Sequence, residues 1–177
     1  FEAALYCNWL SEREGIPCDQ WCYLPNEEGL YRSGMRAKEE FWKLEGYRLP
    51  TEAEWEFACR AQSLAARSYG VAESLLPNFA WCPRNADGRL PPVGLLMPND
   101  FGIFDMYGNA AEWCFDEYPE SFLEAGELVA DEPSVQSVTE KDFRLVRGGS
   151  FKDLPERLRS ASRVKNLAGA RNRYYRF

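Results

Sequence analysis

The most informative segment for the architecture is residues 46–58, which read GYRLPTEAEWEFA. Thr51 is followed three residues later by Glu54, which is the spacing of a capping box. In that motif the Thr51 hydroxyl accepts from the Glu54 amide and the Glu54 carboxylate accepts from the Thr51 amide. Trp55 and Cys59 then lie four residues apart, on one face of a helix. This pattern predicts a helix that begins at Thr51 and ends at about Ser63.

Around this helix the chain is divided into short elements. An amino-terminal helix is predicted over residues 1–14, where Leu5 and Trp9 continue a four-residue spacing from Phe1 and Gly15 ends the pattern. Strands are predicted at residues 21–24, 143–151, 159–164 and 174–177, short strands and turns over residues 65–100, and an acidic surface excursion over residues 121–140. Few long helices and many short strands indicate a compact, irregular α+β domain.

The composition excludes several classes of protein. With 177 residues, of which 45% are hydrophobic and 15% aromatic, the chain can bury the core of one domain. Its net charge of −7 argues against a general electrostatic attraction to nucleic acid or to an anionic membrane, so neither is expected as a partner. The sequence contains no apolar run close to the roughly 18 residues that a membrane-spanning helix needs, so no membrane span is expected.

The chain has no histidine. Histidine-ligated zinc, copper and iron sites, the Ser-His-Asp triad and the Cys-His dyad are therefore excluded. The six cysteines are irregularly spaced, and Cys18 and Cys22 are the only close pair, which leaves a disulfide or a labile thiol pair open at that place. Buried free thiols are the interpretation that the spacing favours for the set as a whole.

Three blocks of sequence together resemble one known family. They are residues 46–58, residues 99–113 (NDFGIFDMYGNAAEW), and residues 147–151 (RGGSF) with RSASR following at residues 159–163. In order and wording they resemble the formylglycine-generating enzyme (sulfatase-modifying factor) superfamily, of the bacterial kinase-associated or accessory type. The resemblance implies a C-type-lectin-like α+β fold with little regular secondary structure. It also implies that residues 1–177 form a single domain, one that lacks the family's amino-terminal portion.

The resemblance locates the place where the family's oxidases carry out their chemistry. In those members two cysteine thiolates just after the Arg-Gly-Gly-Ser-Phe block hold copper, because soft sulfur ligands suit Cu(I). The matching positions here are Asp153 and Leu158. A carboxylate is a hard ligand and a hydrocarbon is no ligand, so no copper is expected and no catalytic residue is assigned. The related iron-dependent sulfoxide synthases use histidine ligands, so no iron is expected either.

The resemblance further implies a calcium site in the second block. The family's matching site uses a side chain at the Asp105 position, carbonyl oxygens at the Gly108 and Ala110 positions, and a carboxylate at the Glu112 position. All four are kept by type in this chain. Calcium accepts several hard oxygen ligands in loop geometry, so Ca²⁺ is expected on these four residues. A plain Gly-Asn turn with solvated acidic side chains is the alternative.

The chain from residue 143 onward is rich in basic residues. They are Arg144, Arg147, Lys152, Arg157, Arg159, Arg163, Lys165, Arg171, Arg173 and Arg176. Two interpretations stay open. The arginine forks could bind the carboxylates of an acidic peptide, or the same residues could pair internally with the acidic remainder of the chain.

Taken together, these features predict a pseudoenzyme. We expect a non-catalytic domain that binds a protein or a small-molecule ligand and works beside other domains of a larger bacterial protein. One alternative is an active formylglycine-generating oxidoreductase that uses relocated cysteines such as Cys59, Cys82 or Cys114. The other is a hypervariable domain of the kind targeted by diversity-generating retroelements. Both alternatives stay open because one fold can host several functions.

Overall fold

The structure of the chain is a computed structural model, and it describes residues 1–118 and 137–170. It contains a mixture of helix and sheet with few regular elements. The helices are α1 (Glu2–Arg13), α2 (Glu52–Arg60) and α3 (Leu76–Phe79), with 3-10 turns at Cys18–Gln20, Phe41–Lys43 and Glu73–Leu75. The strands are β1 (Tyr23–Leu24), β2 (Arg36–Ala37), β3 (Ala80–Trp81), β4 (Tyr107–Gly108), β5 (Glu112–Glu117), β6 (Phe143–Arg147) and β7 (Val164–Leu167).

The strands form three small sheets. Strands β1 and β2 pair antiparallel, β3 and β4 pair parallel, and a three-stranded sheet has the order β5-β6-β7. None of the helices described is long and apolar enough to cross a membrane.

Several predicted elements need correction. Residues 65–100 contain a 3-10 turn, the helix α3 and only one of the named strands, β3, because Pro77 stands at the start of a helical turn, where its fixed φ is favourable. The strand expected at residues 159–164 begins only at Val164. The strand predicted at residues 174–177 and most of the acidic excursion at residues 121–140 lie outside the described residues.

The capping box is confirmed at the start of α2. The Thr51 side chain accepts from the Glu54 amide, and the Glu54 carboxylate accepts from the Thr51 amide at 2.8 Å. The helix ends at Arg60, earlier than the predicted Ser63, because Ala61 adopts a left-handed conformation with φ 45°.

The described residues fall into two compact units. Within the described part of the chain, unit 1 comprises Phe1–Leu49, Phe115–Arg144 and Lys165–Ala170. Its core contains Phe41, Cys22 and Phe115, and the Phe41 and Phe115 rings lie 4.3 Å apart. The buried Asn8 side chain of α1 donates to the Tyr23 carbonyl oxygen at 2.8 Å. This bond satisfies a buried amide and holds α1 against β1.

Unit 2 comprises Pro50–Cys114 and Leu145–Val164 within the described part of the chain. Its centre is Arg147, whose side chain is fully buried and whose guanidinium lies 5.0 Å from the centre of the Trp55 ring. The guanidinium forms ion pairs with Glu52 and Glu56, both on α2. The buried charge is therefore compensated by two carboxylates from the helix that the first block of sequence predicted.

Candidate functional site

Two glycines after β6 shape the region that corresponds to the family's copper site. Gly148 and Gly149 have φ of 80° and 70°. A Cβ atom added to Gly149 would lie 2.7 Å from the Leu158 side chain and 3.7 Å from the Cβ of Asp153. The structure therefore brings Asp153 and Leu158 to the same small space beside Gly149, where glycine leaves room for both side chains.

Neither of these two side chains is available to a soft metal ion. One Asp153 carboxylate oxygen accepts from both the amide and the hydroxyl of Ser150, each at 2.8 Å. Leu158 is fully buried. Asp153 thus caps its own turn and Leu158 fills the core, so the residues present do not fit Cu(I).

Hydrogen bonds from buried side chains fix the loop that carries both residues. The buried guanidinium of Arg67 donates to the carbonyl oxygens of Pro155 and Leu158, both at 2.7 Å. The Ser160 hydroxyl forms a 2.8 Å hydrogen bond with the Tyr107 hydroxyl. Sequence reasoning missed Arg67, and no local pattern pointed to it, because its two partners lie 88 and 91 residues further along the chain.

The six cysteines are free thiols in the structure. Cys18 and Cys22 therefore form no disulfide here. Cys59, Cys82 and Cys114 are buried, and burial raises the pKa of Cys59 to about 11. A thiol with a raised pKa is poor in the thiolate form that binds metals and attacks substrates.

The acidic turn begins with an aspartate in an unusual backbone conformation. Asp105 has φ 59°, in the left-handed region. One of its carboxylate oxygens, Oδ2, accepts from the Gly94 amide at 2.7 Å. The other, Oδ1, is buried and has no hydrogen-bond partner within the described residues. A buried carboxylate oxygen without a donor is costly, and such an atom calls for an explanation.

Glu112 is the second acidic group of the turn. Its Oε2 atom accepts from the Trp55 indole nitrogen at 2.6 Å. Burial raises the pKa of the Glu112 carboxyl above its ordinary value, the Trp55 hydrogen bond opposes this shift, and the negative charge of Asp105 adds to it. The structure therefore brings Asp105 close enough to Glu112 for the Asp105 charge to disfavour the ionised form of the Glu112 carboxyl.

Backbone packing determines the shape of the turn between these two acids. Gly108 has φ 72°, and a Cβ atom there would lie 1.9 Å from the Trp81 carbonyl oxygen. Asn109 has φ 56°, and its amide donates to the same Trp81 oxygen at 3.2 Å. Gly108 and Asn109 are thus packed closely against β3, and Ala110 follows them in the segment that joins Asp105 to Glu112.

The acidic side chains of the turn are too few to hold a metal ion alone. Within residues 1–118 and 137–170 no group of three or more His, Cys, Asp or Glu side chains is placed to hold one. Any cation here would need backbone carbonyl oxygens as well as Asp105 and Glu112, as calcium sites in loops commonly do.

The comparisons with known proteins agree with this local architecture. Residues 1–177 match the family described as "Sulfatase-modifying factor enzyme 1-like domain". The chain is 39% identical over 136 residues to the serine/threonine-protein kinase pkn1 of Chlamydia pneumoniae, a match that covers 75% of this chain and 20% of the kinase. It is 34% identical over 120 residues to a formylglycine-generating enzyme of Streptomyces coelicolor, covering 60% of this chain and 36% of the enzyme.

Two further matches bear on function. An inactive C-alpha-formylglycine-generating enzyme 2 of Bos taurus is 29% identical over 163 residues, covering 74% of this chain and 47% of that protein. The solved structure of Treponema denticola variable protein 1 superimposes with a TM-score of 0.81 at 26% identity, covering 99% of this chain and 66% of the other. The chain therefore spans only about a fifth of the kinase relative, less than half of each formylglycine-generating-enzyme relative named, and 66% of the variable protein.

Proposed function

The chain belongs to the family of sulfatase-modifying factor enzyme 1-like domains, and from this premise we propose that it is a non-catalytic member. It serves as a ligand- or protein-binding module of a larger bacterial protein. The observation that carries this proposal is the geometry beside Gly149. Asp153 and Leu158 occupy the positions of the family's copper cysteines, and both are committed to structural contacts.

The chemistry of the two side chains supports the loss of catalysis. Formylglycine formation in this family depends on copper held by sulfur, and Cu(I) prefers soft thiolate ligands. The Asp153 carboxylate is a hard ligand that already accepts two hydrogen bonds from Ser150. The Leu158 side chain offers no electron pair. The loop keeps its internal hydrogen bonds, but the two positions that carry thiolates in the oxidases carry a carboxylate and a hydrocarbon here. This combination is expected of a scaffold that is used for binding.

The relatives support a role inside a longer chain. The kinase pkn1 is about five times as long as the segment that this chain matches, and one mammalian relative carries the name of an inactive enzyme. We propose that residues 1–177 form one domain of C-type-lectin-like architecture, and that other domains of the parent protein are among its partners.

We also propose that one Ca²⁺ ion binds the acidic turn. Asp105 and Glu112 would supply carboxylate oxygens, and Gly108 and Ala110 would supply backbone carbonyl oxygens. The buried Asp105 Oδ1 atom, which has no hydrogen-bond partner in the part of the chain that the structure describes, supports this assignment, as does the unfavourable effect of the Asp105 charge on the buried Glu112 carboxyl. A divalent cation would compensate both charges and hold the turn in place, a structural role outside any reaction.

The catalytic part of the proposal is tested by incubating the chain with copper and a cysteine-containing sulfatase-type peptide. Mass spectrometry should detect no aldehyde, whereas an active formylglycine-generating enzyme assayed in parallel should convert the peptide. The double variant D153C/L158C serves as a gain-of-binding control and should acquire copper that the unmodified chain lacks. Aldehyde formed by the unmodified chain would overturn the proposal, and loss of that aldehyde in C59S, C82S or C114S would establish the alternative of relocated cysteines.

A hypervariable binding domain is the second candidate. It is favoured by the similarity over 99% of the chain to a protein that carries the name variable protein 1. Sequencing sister copies of the locus decides this point. Variation confined to residues 150–175 would support it, and uniform sequence would reject it.

A further inference from the structure

The structure divides the basic carboxy-terminal part of the chain into residues that are used internally and residues that face solvent. Arg144 is buried and donates to the Phe115 carbonyl oxygen at 2.8 Å, and Arg147 is fully buried beside its two carboxylate partners. Arg163 forms an ion pair with Glu52. Internal contacts therefore account for Arg144 and Arg147, whereas Arg163 is exposed but already paired with Glu52.

Among the described residues of unit 2, the remaining basic residues of this part lie on one short loop, residues 152–159. Lys152, Arg157 and Arg159 are all exposed. Arg157 has no ion-pair partner among the described residues, and Arg159 donates to the Glu156 carbonyl oxygen through Nε at 2.6 Å. Leu154 lies beside them with 63% of its surface exposed. We call these four side chains, Lys152, Leu154, Arg157 and Arg159, the basic loop surface.

The backbone under the basic loop surface is already ordered. The Arg157 amide donates to the Leu154 carbonyl oxygen at 2.9 Å. This hydrogen bond between residues three apart closes a β-turn. The buried Arg67 guanidinium holds the carbonyl oxygens of Pro155 and Leu158 from the inner side. A partner therefore meets a preorganised loop, and association loses less conformational entropy than it would on a flexible one.

We propose that the basic loop surface is the docking site for an acidic peptide segment of a partner protein. The inference rests on the proposed binding function and identifies the partner's chemistry. Planar guanidinium groups pair with carboxylates through two parallel hydrogen bonds, and the exposed Leu154 accommodates an apolar side chain between the acidic ones. Charge complementarity selects this partner, because residues 152–159 carry three basic side chains against Asp153 and Glu156, a local charge of +1 on a chain whose net charge is −7.

The net charge of the chain also favours an acidic peptide over a nucleic acid as the partner. Nucleic-acid binding depends on many phosphate contacts spread over a broad basic surface, and the acidic remainder of the chain opposes a long polyanion. A short peptide needs only the exposed guanidinium groups of one loop, those of Arg157 and Arg159. The surface is therefore matched in size to a few carboxylates.

The experiment measures fluorescence anisotropy of a fluorescein-labelled peptide in which pairs of Glu alternate with single Leu residues. Two peptides of the same length, with Gln or Lys in place of Glu, are the ligand controls. The double charge reversal R157E/R159E is compared with R32E/R89E, which changes the net charge equally at two other exposed arginines. Circular dichroism melting of each variant verifies that the fold is kept.

The Glu peptide should bind more tightly than the Gln and Lys peptides, and its affinity should fall as salt rises to about 1 M, where the Debye length is about 3 Å. R157E/R159E should weaken binding about tenfold or more, while R32E/R89E should change it less than about twofold. L154S should weaken binding without changing the salt dependence.

Three outcomes would overturn the inference: equal losses in the two double variants, no preference for the Glu peptide, or tighter binding of a single-stranded oligonucleotide of equal charge. The last outcome would reassign the surface to nucleic acid. These failures are distinguishable from a failure of the proposed function, because only the copper and aldehyde assay reports on catalysis.

Discussion

Replacement of Arg147 with methionine should strongly destabilise the chain. The fully buried guanidinium forms ion pairs with Glu52 and Glu56, and it donates to the Ser162 carbonyl oxygen at 2.8 Å and to that of Ser160 at 2.6 Å. Methionine preserves most of the apolar stem but supplies no donor. The variant therefore leaves two carboxylates and two carbonyl oxygens without their shared partner.

The expected loss in the free energy of unfolding depends on how well water can solvate each group that has lost its partner. Removing one partner of a buried ion pair typically costs about 3–5 kcal/mol. The Glu52 and Glu56 side chains are 16% and 26% exposed, and Glu52 keeps its pair with Arg163, so part of the cost is relieved. We expect a loss of about 3–4 kcal/mol, a large share of the roughly 5–15 kcal/mol that stabilises a domain.

Urea denaturation followed by tryptophan fluorescence measures this loss. The matched control is R84M, because Arg84 pairs with Glu73 where both side chains are about half exposed. Such a pair is worth only about 0–1 kcal/mol, so R84M should lie close to the unmodified chain. If R147M loses no more stability than R84M, the idea that the buried charge organises unit 2 is wrong.

Three further predictions concern the acidic turn. A chelator should lower the melting temperature, and calcium at about 100 times its dissociation constant should restore about 2.7 kcal/mol; calorimetry of D105A, which should respond to neither, checks the assignment, and an unchanged transition in the unmodified chain would refute it. Because burial raises the folded-state pKa of Glu112, the calcium-free chain should lose stability as pH rises above the ordinary carboxyl range. E112Q should therefore be the more stable form at neutral pH without calcium, and the difference should vanish in acid; urea titrations across pH that find E112Q less stable at neutral pH would contradict this. G108A should abolish folding or cost more than about 3 kcal/mol of stability, since its new methyl group would clash with the Trp81 carbonyl oxygen. The control G102A has a similar φ of 77° and open space around its Cβ position, so thermal melting should show a loss of about 1–2 kcal/mol. Equal losses in the two variants would exclude the contact as the cause.

The features that could be predicted from sequence are those in which the interacting groups are neighbours along the chain. The capping box of α2 joins residues three apart, so its letters alone predict its hydrogen bonds. The end of the same helix is predicted less well, because alanine favours a continued helix and nothing in its residue type indicates the left-handed conformation that Ala61 adopts. The prediction of short strands and turns for residues 65–100 omits α3, because a proline is as compatible with the start of a helix as with a turn.

The candidate site divides in the same way. Residue type alone identifies Asp153 and Leu158 as unfit for a thiolate's role, and the family motif indicates Asp105 and Glu112 as candidate ligands. The motif does not reveal that one Asp105 oxygen is buried with no hydrogen-bond partner among residues 1–118 and 137–170. Nor does it reveal that Trp55, 57 residues away, donates to Glu112.

Composition and local motifs thus indicate the family and the α2 start, and they show that the chain lacks histidine and has no cysteine at positions 153 and 158. Only the tertiary structure decides which basic residues are buried and which face solvent, since Arg147 and Arg157 are the same residue type in the same basic part of the chain. The physical reason is that charge belongs to a side chain, whereas desolvation and pairing depend on groups that folding brings from distant positions.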